Sequence, residues 1–224
     1  MDAASPLAIL FGWMIPERPV SFGLGTGPVL EGALAIPAGA STGVVVAHPH
    51  PLYGGDMDSA VVVAAVQACS RANLATLRFN FRGVGGSAGA WDEGRGEQDD
   101  VRAAVSHLRS LLGPMARVAL AGYSFGAAMV AAVAASGEPL AGLALIAPPL
   151  AMRGLPPRPP AVDGPVHVVA GRADTYCPAD SLAALARSWP AATVTVIDGA
   201  DHFFFGGLDA LAAALANWAA KLST

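Results

Sequence analysis

The chain has 224 residues, 54% hydrophobic and only 13% charged, with a net charge of −4. That length suits one well-buried core, so a single domain over residues 1–224 is expected, and the apolar balance excludes a disordered chain. The lack of a basic surplus argues against nucleic acid or an anionic membrane surface as partner.

Leu7 to Ile15 is apolar, but it follows an acidic Asp2, lacks a basic flank and is too short to span a bilayer. Packing against the domain is expected of it, with an interfacial or homodimer contact as the alternative. Arg18 to Leu24 and Leu30 to Ile36 then read as a leading antiparallel pair of strands. Beyond them, apolar β-branched runs predict strands at Gly43 to Ala47, Ala75 to Phe81, Arg117 to Ala121, Leu140 to Ala147, Val166 to Ala170 and Thr193 to Ile197. Ala- and Leu-rich stretches between and after them predict helices at Asp58 to Arg71, Gly96 to Leu111, Phe125 to Ala135, Ala179 to Ser188 and Gly207 to Leu222. The alternation predicts right-handed crossovers, an α/β fold and a mostly parallel sheet with helices on both faces.

Three local features refine that picture. Glu97, Asp99 and Asp100 crowd a first helical turn, where carboxylates meet the positive end of the macrodipole. Pro148 to Pro165 holds seven prolines, which predicts a loop or very short cover and not a helical cap. Cys69 and Cys177 have no framework spacing and read as reduced thiols, hence a cytoplasmic protein.

A serine nucleophile needs a sharp strand-to-helix turn flanked by glycines, the pattern G-x-S-x-G. It occurs at Gly39-Ala40-Ser41-Thr42-Gly43, Gly85-Gly86-Ser87-Ala88-Gly89 and Gly122-Tyr123-Ser124-Phe125-Gly126. Ser41 precedes an apolar run instead of following one. Ser87 follows a strand, but Trp91 to Gly96 brings too many glycines for an immediate helix. Ser124 alone has a strand directly before it and a helix directly after, so it is the expected nucleophile.

Serine at its free pKa needs a histidine to take its proton and a carboxylate to hold that histidine in the right tautomer. The expected chain order is serine, acid, histidine. Of the two histidines after Ser124, His167 lies inside a strand, whereas His202 lies just beyond the last one, at the edge where parallel sheets present ligands. Asp163, Asp174, Asp180, Asp198 and Asp201 are the candidate carboxylates. Asp174 follows a strand end at that same edge and is preferred, while Asp198 and Asp201 adjoin His202 and suit the turn itself.

The oxyanion formed during acyl transfer needs backbone donors. Phe125 N–H is the first, and the second should come from His48-Pro49-His50-Pro51-Leu52-Tyr53-Gly54-Gly55. Proline has no N–H, which leaves His50 or Leu52, with His50 preferred. Tyr53, Leu150, Phe203 and Phe204 are expected to wall the substrate site. His48, His50, Asp56 and Asp58 lie close in sequence but lack a recognised ligand spacing, so neither metal nor cofactor is expected.

Three blocks, His48-Pro49-His50-Pro51-Leu52-Tyr53-Gly54-Gly55, Leu77 through Ser87, and Ala121 through Gly126, together resemble the α/β-hydrolase superfamily. Within it the chain is similar to the small bacterial branch near the dienelactone-hydrolase-like proteins, from about Arg18 to the C-terminus. The resemblance implies an α/β-hydrolase fold with minimal or no cap. It matches Gly171 to Asp174 with the acid block and Gly199 to Phe204 with the histidine block. It also implies that Arg82 and Gly83 lie in a structural loop, which counts against Ser87. The chain departs from the pattern at Asn80, where many relatives carry Asp. Dehalogenases and epoxide hydrolases of this superfamily use Asp at the elbow, and dienelactone hydrolases proper use Cys. Here the residue is Ser, and Cys177 has the wrong context to compete with it.

The resulting expectation is a serine hydrolase that cleaves carboxylic ester-like bonds of small or short-chain acyl substrates with water. Thioester, amide or carbon–carbon hydrolysis, or acyl transfer, by the same triad is the first alternative. A non-catalytic ligand-binding module is the second.

Overall fold

The computed structural model describes residues 15–152, 154–156 and 162–223. The expected packing of Leu7 to Met14, and part of the proline-rich stretch, lie outside these residues. The strands are β1 (Arg18–Phe22), β2 (Leu30–Ala35), β3 (Thr42–Ala47), β4 (Ala75–Phe79), β5 (Arg117–Tyr123), β6 (Leu143–Ile146), β7 (Val166–Gly171) and β8 (Thr193–Ile197). They form one sheet in the order β1-β2-β4-β3-β5-β6-β7-β8. β2 runs antiparallel to both β1 and β4, and the other neighbours are parallel.

Among the described residues five helices cover this sheet: α1 (Ala60–Arg71), α2 (Gly96–Leu112), α3 (Phe125–Ala135), α4 (Ala179–Ser188) and α5 (Leu208–Ala220). The strand pattern explains why both faces need cover. In β3, Val45 and Ala47 point into the core under α2 and α3, whereas Val44 and Val46 point into the core under α1 and α5. β5 divides in the same way, with Val118 and Leu120 on one side and Ala119, Ala121 and Tyr123 on the other. A strand buried on both faces reads as a continuous apolar run, and each fully buried Val or Leu contributes roughly 1.5–3 kcal/mol.

Four predicted strands come out shorter: β1 and β2 lose two residues and one residue at their ends, and β4 and β6 stop early for identifiable reasons. β4 ends at Phe79 because the next backbone groups take side-chain partners: Phe81 N–H donates to His48 Nε2 at 3.0 Å. β6 ends at Ile146 because Ala147 turns to φ 44°. Glu97, in the first turn of α2 as expected, and Asp100 are also buried tethers. Glu97 accepts the N–H groups of Asp92 and Gly94, and Asp100 binds the Arg82 guanidinium and backbone.

The chain leaves β3 through α1 to β4 on one side, then returns through α2 to β5 on the other. This reversal leaves a crevice at the carboxyl ends of β3 and β5, where open α/β sheets bind ligands. The described part of the 147–165 connection contains no helix, so no helical cap built from those residues lies over the crevice. Among the described residues no helix is long and apolar enough to cross a membrane.

Candidate active site

Ser124 sits at the tip of β5, at the N-cap of α3, with φ 53° and ψ −115°. A non-glycine residue held there costs roughly 1–3 kcal/mol, which the surroundings must offset. Its N–H is held by Ile146 C=O at 2.8 Å, and its own C=O accepts from Ala127 N–H at 3.0 Å. The flanking glycines are required by contact. A Cβ on Gly122 would lie 2.4 Å from Gly126 O, and one on Gly126 would lie 2.4 Å from Ala47 O and 2.5 Å from His48 O.

The structure brings Ser124, Asp174 and His202 together. His202 Nε2 lies 3.0 Å from Ser124 Oγ, and His202 Nδ1 lies 2.8 Å from Asp174 Oδ2. A carboxylate can only accept, so Nδ1 carries the hydrogen and Nε2 offers its lone pair to the hydroxyl. All three side chains are buried. Asp174 Oδ1 accepts the N–H groups of Tyr176 and Cys177, at 2.8 and 2.9 Å, so both carboxylate oxygens are used. The acid and histidine loops are also joined through the backbone: Arg172 N–H donates to Ile197 C=O, and Ala173 N–H to Ala200 C=O, each at 2.9 Å. Tyr123 O–H donates to His202 C=O at 3.0 Å, and burial raises that phenol further above its ordinary pKa.

The competing residues have other partners. Ser87 Oγ donates to Asn80 C=O and accepts Glu31 N–H, so it pins a loop, and Ser41 is exposed on the turn before β3. Asp198 pairs with Arg172, and Asp201 Oδ1 accepts the N–H groups of Phe203 and Phe205 within its own turn. His167 bonds Thr195 Oγ1 at 2.9 Å within the sheet. Cys177 is buried, and burial together with the Asp174 carboxylate pushes its thiol up to about 12, far from a thiolate.

The loop after β3 packs directly on the elbow, with the His50 ring 5.0 Å from the Phe125 ring. Leu52 N–H is spent on His50 Nδ1 at 3.2 Å, which removes it as a free oxyanion donor. His48 serves inside the framework. Its Nδ1 lies 2.6 Å from Pro49 C=O, its Nε2 accepts from Phe81, and burial pushes its pKa down to about 4. Both of its nitrogens are therefore committed within the protein.

One of the expected walls needs correction. Phe204 is 2% exposed and sits in the core beside Tyr123, because its φ of 58° turns the side chain inward while Phe203 stays outside. Leu150 is half-buried against the core, and Tyr53 and Phe203 are exposed near the crevice. Two rings went unrecognised in the sequence. Trp91 packs on His50 and Phe125, at 4.7 and 5.0 Å, and Tyr176 packs on the His202 ring at 4.6 Å. A lone tryptophan in a glycine- and acid-rich loop, and a tyrosine two residues past the acid, were the available signals.

The partners of Asn80 account for an amide at this position. Its Oδ1 accepts Met57 N–H at 2.8 Å, while its Nδ2 donates to Glu31 Oε1 at 2.6 Å. An aspartate could not make the second bond, so Glu31 and Asn80 are matched to each other.

A family model described as an alpha/beta hydrolase domain matches residues 40–208. A protein of Rickettsia prowazekii (strain Madrid E), uncharacterized protein RP471, is 33% identical over 172 residues, covering 71% of each chain. An alpha-beta serine hydrolase homologue from Coxiella burnetii superposes with a TM-score of 0.80 at 33% identity, over 92% of this chain and 98% of that one. XC6422 from Xanthomonas campestris, described as a serine hydrolase without lid, gives 0.79 at 32% identity, over 90% and 93%.

Proposed function

Because the chain belongs to the α/β-hydrolase family, we propose that it is a serine hydrolase cleaving carboxylic ester-like bonds through an acyl-enzyme on Ser124. The observation that carries this reading is the continuous line of hydrogen-bonding atoms from Ser124 Oγ through the His202 ring to Asp174 Oδ2.

In the proposed sequence, Oγ attacks the ester carbonyl carbon as its proton passes to His202 Nε2, while Asp174 steadies the imidazolium that forms. The negative oxygen of the tetrahedral intermediate is met by Phe125 N–H at the start of α3 and by the backbone N–H of His50. Collapse breaks the C–O bond, and His202 gives its proton to the departing alkoxy oxygen. Water then attacks the acyl-enzyme with His202 again as base, releasing the acid and restoring Ser124. Removing one oxyanion donor from such a site costs roughly 10²–10³ in kcat.

The crevice, over which the described residues of the 147–165 connection place no helix, and the rings of Tyr53, Trp91, Tyr176 and Phe203 near it, support small, uncharged substrates. Both cysteines are free and buried, which suits a reducing compartment such as the cytoplasm.

The test is labelling by a fluorophosphonate probe, with the adduct located by peptide mass spectrometry. The adduct is expected on Ser124 and absent from Ser124→Ala. Labelling elsewhere, or none with a folded protein, overturns the assignment.

A further inference from the structure

Tyr176 and Phe203 both touch the His202 imidazole, at ring separations of 4.6 and 5.5 Å. Yet 41% of Tyr176 and 57% of Phe203 remain exposed. A core ring is covered by its neighbours, whereas these two keep open surface beside the imidazole that would pass a proton to substrate. Both are mounted on pinned backbone. Tyr176 N–H donates to Asp174 and its C=O accepts from Ala151 N–H at 2.9 Å, while Phe203 N–H is held by Asp201 at 3.0 Å.

The chemistry of ester cleavage decides which part of a substrate meets them. As the C–O bond breaks, the proton on His202 Nε2 moves to the alkoxy oxygen, so that oxygen must lie within hydrogen-bond reach of Nε2. The carbon group it carries then departs past the surroundings of the imidazole. The carbonyl oxygen is drawn away from there, toward Phe125 N–H.

We propose that Tyr176 and Phe203 form a ring-binding subsite for the alcohol portion of the substrate, and that the enzyme's substrates are esters of arylalkyl alcohols. This inference rests on the ester-cleaving reading above. Neither side chain carries a charge, and a flat ring can meet both through offset or edge contacts that a saturated ring of equal size cannot make.

Benzyl acetate and cyclohexylmethyl acetate isolate the effect, since they share the acyl group and a primary alcohol and differ in the ring. The expected kcat/KM is at least about fivefold higher for the benzyl ester. The ratio should fall toward one in Tyr176→Leu/Phe203→Leu and persist in Tyr176→Phe. Equal values in the wild-type protein overturn the proposal whether or not the double variant folds. So does a preference that survives the double variant, or one confined to methyl phenylacetate over methyl cyclohexylacetate, where the ring sits on the acyl side. Failure of the underlying reading has a different signature: no ester is turned over and Ser124 takes no fluorophosphonate, which removes both proposals together.

Discussion

Lowering the pH from 7.5 to 4 should destabilise the fold through His48, a residue outside the Ser124–His202–Asp174 arrangement. Its ring is fully buried and makes two hydrogen bonds, one that needs a hydrogen on Nδ1 and one that needs a lone pair on Nε2. A second proton would set a donor against Phe81 N–H as well as burying a charge. Burial is the dominant cause of the depressed pKa, with the Pro49 carbonyl and Asp56 opposing it, and the value falls from 6.5 to about 4. Between those values the unfolded chain binds a proton that the native protein refuses. The contribution to stability is therefore complete above pH 6.5 and is lost as pH falls toward 4. At 1.36 kcal/mol per pH unit, that interval corresponds to about 3 kcal/mol, a large part of a typical folding free energy. His107 and His167 are also held below the ordinary histidine value by burial, so the wild-type curve alone does not isolate His48. His48→Gln does, because glutamine can accept from Phe81 and donate to Pro49 without titrating. Urea unfolding from pH 7.5 to 4.5 should show the wild-type protein losing more stability on acidification than His48→Gln, with the gap opening below pH 6.5. Parallel curves, or a native His48 ring titrating near pH 6 by NMR, would refute the reasoning.

Other perturbations probe the site and its supports. Asp174→Asn keeps an acceptor for Tyr176 and Cys177 but turns an amide donor toward His202 Nδ1, which favours the wrong tautomer; kcat should fall on the order of 10⁴-fold with little change in melting temperature. Gly126→Ala drives a methyl group into two carbonyl oxygens, and a loss of about 3 kcal/mol is expected in denaturant titration; an undiminished midpoint would show that the elbow can relax. Asn80→Asp sets two carboxylates against each other and should cost about 2 kcal/mol at pH 7, read by calorimetry, with Glu31→Gln in the same chain restoring most of it. If the double variant melts no higher than Asn80→Asp, the pairing is not the source of the loss.

The sheet and the order of its elements were legible because strands buried on both faces read as unbroken apolar runs, and α3 and α4 have the bounds their Ala- and Leu-rich stretches predict. The elbow was legible because few sequences put a strand, a glycine-flanked serine and a helix in immediate succession. What escaped was whatever depended on a single dihedral angle or on contacts between distant loops. Phe203 and Phe204 are identical in sequence terms, and one positive φ sends the second into the core. Trp91 reaches the His50 and Phe125 rings only because Glu97 and Asp100 fold its loop back against the His50 loop, a contact across more than forty residues that no periodicity encodes. The same holds for the second use of Glu97: its first-turn placement was legible, but its clamp on the preceding loop was not.

The jam between Gly126 and the carbonyls at the end of β3 has a consequence for how this molecule works. With no side chain acting as a spacer there, the pedestal under the hydroxyl and the end of β3 are packed backbone against backbone. A substrate then meets a vice already set to width, and hydrolysis should begin without a lag or an activating surface. The exposed rings around the opening take no part in that packing, which leaves them the part freest to change when a descendant acquires a new substrate.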